Sequence, residues 1–141
     1  MRDFSITIDI AARPHRVWQV MSDVERWREW TPSVSSIRRT PDGPIDVGTR
    51  LWIKQPKFPP AMWKVIDVKP NRSFTSVSGA PGFQVVAHHS IEPTDSGSRV
   101  TLSLRFNGWL GGWFGRVTAG INNRYLAMEA NGLKTRSESA A

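Results

Sequence analysis

Two adjacent histidines, His88 and His89, are the residues of this chain best suited to proton chemistry. They fall in the run Phe83–Glu92, whose composition and bounding turn residues indicate a strand. Successive side chains of a strand point to opposite faces, so the two imidazoles cannot hold one metal ion from one side. His89 shares its face with Val85, Ala87 and Ile91, which is expected to turn inward. His88 shares its face with Gln84, Ser90 and Glu92 and is expected to meet solvent. An imidazole among aliphatic neighbours can be a hydrogen-bonded core residue, a group that orients a ligand, or an acid/base near neutral pH. His89 is therefore the candidate catalytic residue and the leading polar candidate in the interior.

Other chemistries are poorly supplied. The chain has no cysteine, which removes disulfides, cysteine-ligated zinc and thiol nucleophiles. His15 is distant in sequence and no His/Asp/Glu spacing resembles a zinc motif, so no metal and no cofactor is expected. Neither a nucleophile elbow nor a Gly-rich phosphate cradle after a strand is present. Asp9 and Glu92 lie on polar strand faces, and Asp67 lies near a strand end. Asp23, Glu25 and Glu29 belong to short helices, and Asp42, Asp46 and Asp95 to turns. Glu129 falls off the apolar stripe of the last helix. No pair of acids is placed inside, which disfavours hydrolysis by two carboxylates.

The elements that position these residues follow from periodicity. Phe4, Ile6, Ile8 and Ile10 alternate with Ser5, Thr7 and Asp9 in a first strand. Pro14 then opens a short helix over 14–21, carrying Val17, Val20 and Met21 inward. Ser22 and Glu25 have the spacing of a capping box for a second short helix, in which Val24 and Trp27 share a face and which Thr31-Pro32 stops. Six further strands are expected at Val34–Thr40, Thr49–Gln55, Met62–Lys69, Ser73–Ser78, Phe83–Glu92 and Arg99–Asn107, with Gly/Pro/Asn-rich breaks short enough for hairpins. Leu110, Phe114, Val117, Ile121, Tyr125 and Met128 recur at helical steps and mark one long C-terminal helix. Gly111, Gly112, Gly115 and Gly120 weaken its beginning and Gly132 is expected to end it. Residues 1–133 are then one domain and residues 134–141 a flexible tail.

A sheet with one apolar face needs a cover, and the only long amphipathic element is the last helix. The expected fold is α+β: a curved seven-stranded antiparallel sheet, with two short helices after strand 1, wrapped around a long C-terminal helix. Twisted strands curl, and a helix laid in the concave side leaves room beside it. Strand parity and the helix stripe place Leu51, Ile53, Trp63, Val85, His89, Leu102, Leu104, Phe106, Trp113, Val117, Ile121 and Tyr125 around that room as ligand-binding candidates. Tyr125 brings a hydroxyl that could bond a ligand carbonyl. Seven tryptophans against one tyrosine fit an aromatic-lined interior. Trp27 and Trp30 are expected to pack the short helices onto the sheet. The stretch from Asn107 to Gly115 interleaves aromatics with glycine and suits either a lid, portal or lipid anchor or a bent helix start; Lys57-Phe58-Pro59-Pro60 flanks the same mouth.

Several short motifs occur together in a recognisable order. They are Ile8-Asp9-Ile10, Pro14-His15-Arg16-Val17-Trp18, the run from Asp23 to Trp30, Val47-Gly48-Thr49-Arg50, His89-Ser90-Ile91-Glu92-Pro93 and Arg99-Val100-Thr101. Through them the chain resembles the START-related helix-grip superfamily, in particular its polyketide cyclase/dehydrase and lipid-transport-like branch, over roughly residues 4 to 130. The resemblance implies a hydrophobic cavity rather than a reaction, because the superfamily includes carriers, receptors and aromatase/cyclases.

Three functions remain open on this reading. The first is binding of a small hydrophobic or aromatic molecule, a lipid or polyketide-like metabolite. The second is a cyclase/dehydrase-type enzyme with His89 as acid/base. The third is a basic module for nucleic acid or an anionic membrane surface, since the net charge is +7 and the pI about 10.8. The basic residues are scattered in runs no longer than two, which favours a solvated surface over a nucleic-acid groove and leaves peripheral membrane contact as a lesser expectation. The N-terminus alternates polar and apolar residues with no apolar core, so a cytoplasmic protein is expected.

Overall fold

The seven strands form one antiparallel sheet in the order β1-β7-β6-β5-β4-β3-β2. They are β1 (Arg2–Ile10), β2 (Ser36–Thr40), β3 (Arg50–Lys54), β4 (Ala61–Lys69), β5 (Ser73–Ala80), β6 (Phe83–Thr94) and β7 (Gly97–Asn107). The structure, a computed structural model, describes residues 2–139. All pairings except β1 with β7 join strands consecutive in sequence, as the short turn segments dictate. One inner row runs Phe4, Leu104, Ala87, Ser76 and Val65 across five strands, and the next runs Ile6, Leu102, His89, Phe74 and Val68. A register shift between Val65 and Asp67 bulges β4 and leaves Ile66 exposed, adding to the bend of the sheet.

After β1 come α1 (Pro14–Ser22) and a 3-10 helix, Val24–Glu29. The expected capping box does not form. Ser22 Oγ instead donates to the Trp18 carbonyl, and the Glu25 carboxylate turns to the backbone N–H and guanidinium of Arg39 on β2. Tertiary partners outcompete the local ones here. Trp27 Nε1 donates to the Met21 carbonyl at 2.9 Å, and its ring lies against Trp30 and Phe74, so the indoles fasten the short helices to the sheet.

The C-terminal segment is two helices, not one: α2 (Gly111–Val117) and α3 (Ala119–Glu138), divided at Thr118. At the division Thr118 Oγ1 donates to the Phe114 carbonyl and accepts from Asn122 Nδ2. The buried face of α3 comprises Asn122, Leu126, Ala130, Leu133 and Ser137, about one position away from the expected stripe. Three of those five residues are small or polar, so hydrophobic periodicity does not mark the face that packs.

Gly132 does not end α3. A Cβ there would stand 1.9 Å from the Trp30 carbonyl oxygen, so this glycine lets the helix pass directly over the short-helix layer. Residues 134–138 are helical rather than a flexible tail, held where Lys134 Nζ donates to the Asp9 carbonyl and Glu138 accepts from Ala11 N. Arg16 donates to the carbonyls of Arg136 and Ser137 and so satisfies the helix C-terminus. Ala140 and Ala141, the end of the expected tail, lie outside the described residues.

Candidate functional site

Curling of the sheet away from α3 leaves a void of about 950 Å³ between them. The void is larger than any packing defect, because interiors of this size normally close to crystal density. Its sheet side is built by residues of β3 to β7, and its helix side by Phe114, Asn122, Tyr125, Leu126 and Glu129. Trp27 of the 3-10 helix also lines it.

Of the residues picked out by parity, Leu51, Ile53, Trp63, Val85, His89, Leu102, Leu104, Phe106 and Tyr125 come together around this space. Three do not. Trp113 and Val117 turn to solvent, 63% and 56% exposed, and Ile121 is half-buried outside the lining. Trp113 and Val117 share the outer face of α2 while Phe114 turns inward, and the break at Thr118 resets the helical phase so that Asn122, Leu126 and Glu129 rather than Ile121 line the void from α3. Phe74 and Ser76 also line the void. They were accessible to sequence reasoning, because Phe74 pairs with His89 and Ser76 with Ala87 across β5 and β6. Glu129 was accessible too: it lies one helical turn beyond Tyr125 and three residues beyond Leu126, on a shared face.

His89 is 7% exposed and stacks on the Phe74 ring at 4.4 Å, with Trp27 at 5.4 Å. Its Nε2 lies 2.8 Å from Glu129 Oε1. Since a carboxylate only accepts, the bond puts the hydrogen on Nε2. Nδ1 is sealed and has no hydrogen-bond partner. Glu129 is the only carboxylate among the lining residues, and its other oxygen makes no hydrogen bond yet is not sealed. The sequence-based placement of Glu129 off the working face is thus corrected: it stands in the void, paired with His89. Among the described residues no group of three or more His, Cys, Asp or Glu gathers around one point.

His88 meets Thr75 Oγ1 through Nδ1 at 2.6 Å on the other face. Burial, then the charge of the neighbouring His89, lowers its pKa from the ordinary 6.5. A lowered value means the folded form resists protonation, so this imidazole contributes least to stability as pH falls below 6.5.

The segment 55–60, expected to flank the mouth, lines the void and meets α3. Phe58 meets the Tyr125 ring edge-on at 6.0 Å, and the Tyr125 hydroxyl donates to the Pro56 carbonyl. Lys54 Nζ braces the same segment through the carbonyls of Gln55 and Phe58. The Tyr125 donor, expected to serve a ligand carbonyl, is used to hold the mouth. Tyr125→Phe should therefore cost only about 1 kcal/mol in stability, the worth of one hydrogen bond, while speeding release of an enclosed probe severalfold in stopped-flow fluorescence. An unchanged release rate would separate this contact from gating.

Trp109 is 80% exposed and, with Trp113 and Val117, leaves an apolar surface on the segment that carries Phe114 into the void. Among the described residues no helix is long and apolar enough to cross a membrane.

A curved antiparallel sheet gripping a long C-terminal helix, with short helices after the first strand, defines a helix-grip protein. Solved structures share this fold. A protein of Nitrosomonas europaea superposes with a TM-score of 0.75 at 16% identity, covering 96% of this chain and 94% of that one. The Zhui aromatase/cyclase from Streptomyces sp. R1128 gives 0.74 at 18% identity, covering 97% and 93%. The di-domain aromatase/cyclase StfQ of the steffimycin biosynthetic pathway gives 0.76 at 10% identity, covering 96% of this chain and 50% of that one. The chain belongs to the polyketide cyclase / dehydrase and lipid transport family, whose model matches residues 1–138. No curated protein sequence matches it.

Proposed function

We propose that this protein encloses a small hydrophobic or aromatic molecule, lipid or polyketide-like, in the void between sheet and α3. The observation that carries the reading is the void itself: about 950 Å³, lined mainly by aliphatic and aromatic side chains with a minority of polar ones. Sites for small molecules have this size and character. Affinity comes from removing ligand surface from water, at about 25 cal/mol per Å² before ordering costs. The lining residues from the sheet and Tyr125 at the mouth supply that surface, and the His89–Glu129 pair supplies direction.

The pair also favours a second reading, in which the bound molecule is acted on by acid/base chemistry. A carboxylate with one accessible oxygen, its other oxygen held by a buried imidazole, is suited to accept a proton from a bound molecule. Two solved relatives of the fold are aromatase/cyclases by name, which is consistent with this reading.

Native mass spectrometry of protein purified from its own host tests the first reading. The expected result is an added mass of a metabolite that organic extraction removes. Protein that carries no such mass and takes up no apolar probe would overturn it.

A further inference from the structure

Glu129 is the feature of the void that an apolar container does not need. Its side chain is only 15% exposed and meets His89, whose ring lies against Phe74 and Trp27, and burying a carboxylate is unfavourable unless its oxygens find donors. His89 Nε2–H serves Oε1 at 2.8 Å. Oε2 makes no hydrogen bond among the described residues and, unlike His89 Nδ1, is not sealed. It is therefore accessible, on a residue that lines the void. Glu129 also stands one helical turn, about 6 Å, further along α3 than Tyr125, whose ring and hydroxyl close the mouth.

We infer that the molecule enclosed here carries a hydroxyl group at its leading end, which donates to Glu129 Oε2 while His89 holds the carboxylate in place. This rests on the reading of the void as a binding site and adds the chemistry of the ligand. A ligand that covers Oε2 must supply a donor or leave a carboxylate oxygen unpaired. A carbonyl or ether oxygen in the same place sets lone pair against lone pair and is rejected. His89 is in this account a positioning residue, because its Nε2 is spent on Oε1 and its Nδ1 does not reach the void.

The test compares 2-naphthol with 2-methoxynaphthalene, which share the naphthalene body and differ in whether the oxygen carries a hydrogen or a methyl group, by fluorescence titration. Wild-type protein should bind 2-naphthol at least about 10-fold more tightly, as expected of a hydrogen bond to a charged group. Glu129→Gln, checked for folding by near-UV circular dichroism, should shrink that preference to about threefold or less. Equal affinities in wild type would overturn the inference and leave the binding reading standing. A preference that survives Glu129→Gln would overturn the assignment to this carboxylate. Failure of both probes to bind would remove the reading beneath it as well. If Glu129→Gln does not fold, the wild-type comparison alone decides the ligand chemistry.

Discussion

Gly132→Ala is expected to destabilise the protein by about 2–3 kcal/mol, lowering Tm by about 10 °C, although alanine is the better helix former. On an exposed helix the change would stabilise by up to about 1 kcal/mol, so even the sign is informative. The reason is the 1.9 Å approach of a Cβ at this position to the Trp30 carbonyl oxygen, with Trp30 C and Cε3 each at 2.9 Å. Backbone cannot step aside as a flexible side chain can. To accommodate one methyl group, α3 must lift from the short-helix layer, loosening the contacts of Leu133 and Ala130, both of which are buried. Thermal denaturation followed by circular dichroism reads the effect, and an unchanged or raised Tm would show that α3 does not ride on Trp30.

The second large effect belongs to the buried pair. His89→Leu and Glu129→Leu should each cost about 2–3 kcal/mol, because each leaves a buried polar partner unmatched. The figure is set below the range for fully sealed pairs because Glu129 keeps one oxygen open to the void. The double variant should recover most of that loss, since two apolar side chains in contact replace two mutually dependent polar ones. Chemical denaturation of the four proteins gives the coupling directly. Losses that simply add would mean that His89 and Glu129 do not act on each other. Recovery in the double variant would mean that the pair is not needed for folding, which is consistent with a role towards a bound molecule.

Much of the fold was legible because the sheet obeys a period of two. Phe4, Ile6, Ile8 and Ile10 in β1, and Val100, Leu102, Leu104 and Phe106 in β7, alternate without interruption, and parity alone aims Val85, Ala87, His89 and Ile91 inward. The strand residues expected around the void all line it for that reason. The helix side was not legible. Its packing face is carried by Asn122, Ala130 and Ser137 as much as by leucines, while the conspicuous apolar residues Trp113 and Val117 face solvent. A stripe drawn through Phe114, Val117 and Ile121 cannot survive the break at Thr118, which hydrogen-bonds its own backbone and the next turn. Gly132 misled for a related reason: the residue that commonly stops a helix also permits the closest approach of one. Glu129 was set aside because it falls off the expected apolar stripe, although it shares a face with Tyr125; its pairing with His89, 40 residues away in sequence, was not legible from any local pattern.

Binding requires the space beside α3 to be empty enough to accept a guest. Ala87→Phe probes this most directly, because Ala87 sits in the inner row between Ser76 and Leu104 and lines the void. A benzyl ring forced into a packed core costs about 1–3 kcal/mol. Here the ring has room, so stability should change by less than about 1 kcal/mol while affinity for 2-naphthol falls at least about 10-fold. A variant that is strongly destabilised, or that binds the probe as tightly as wild type, would contradict the existence of a ligand-sized space at this site.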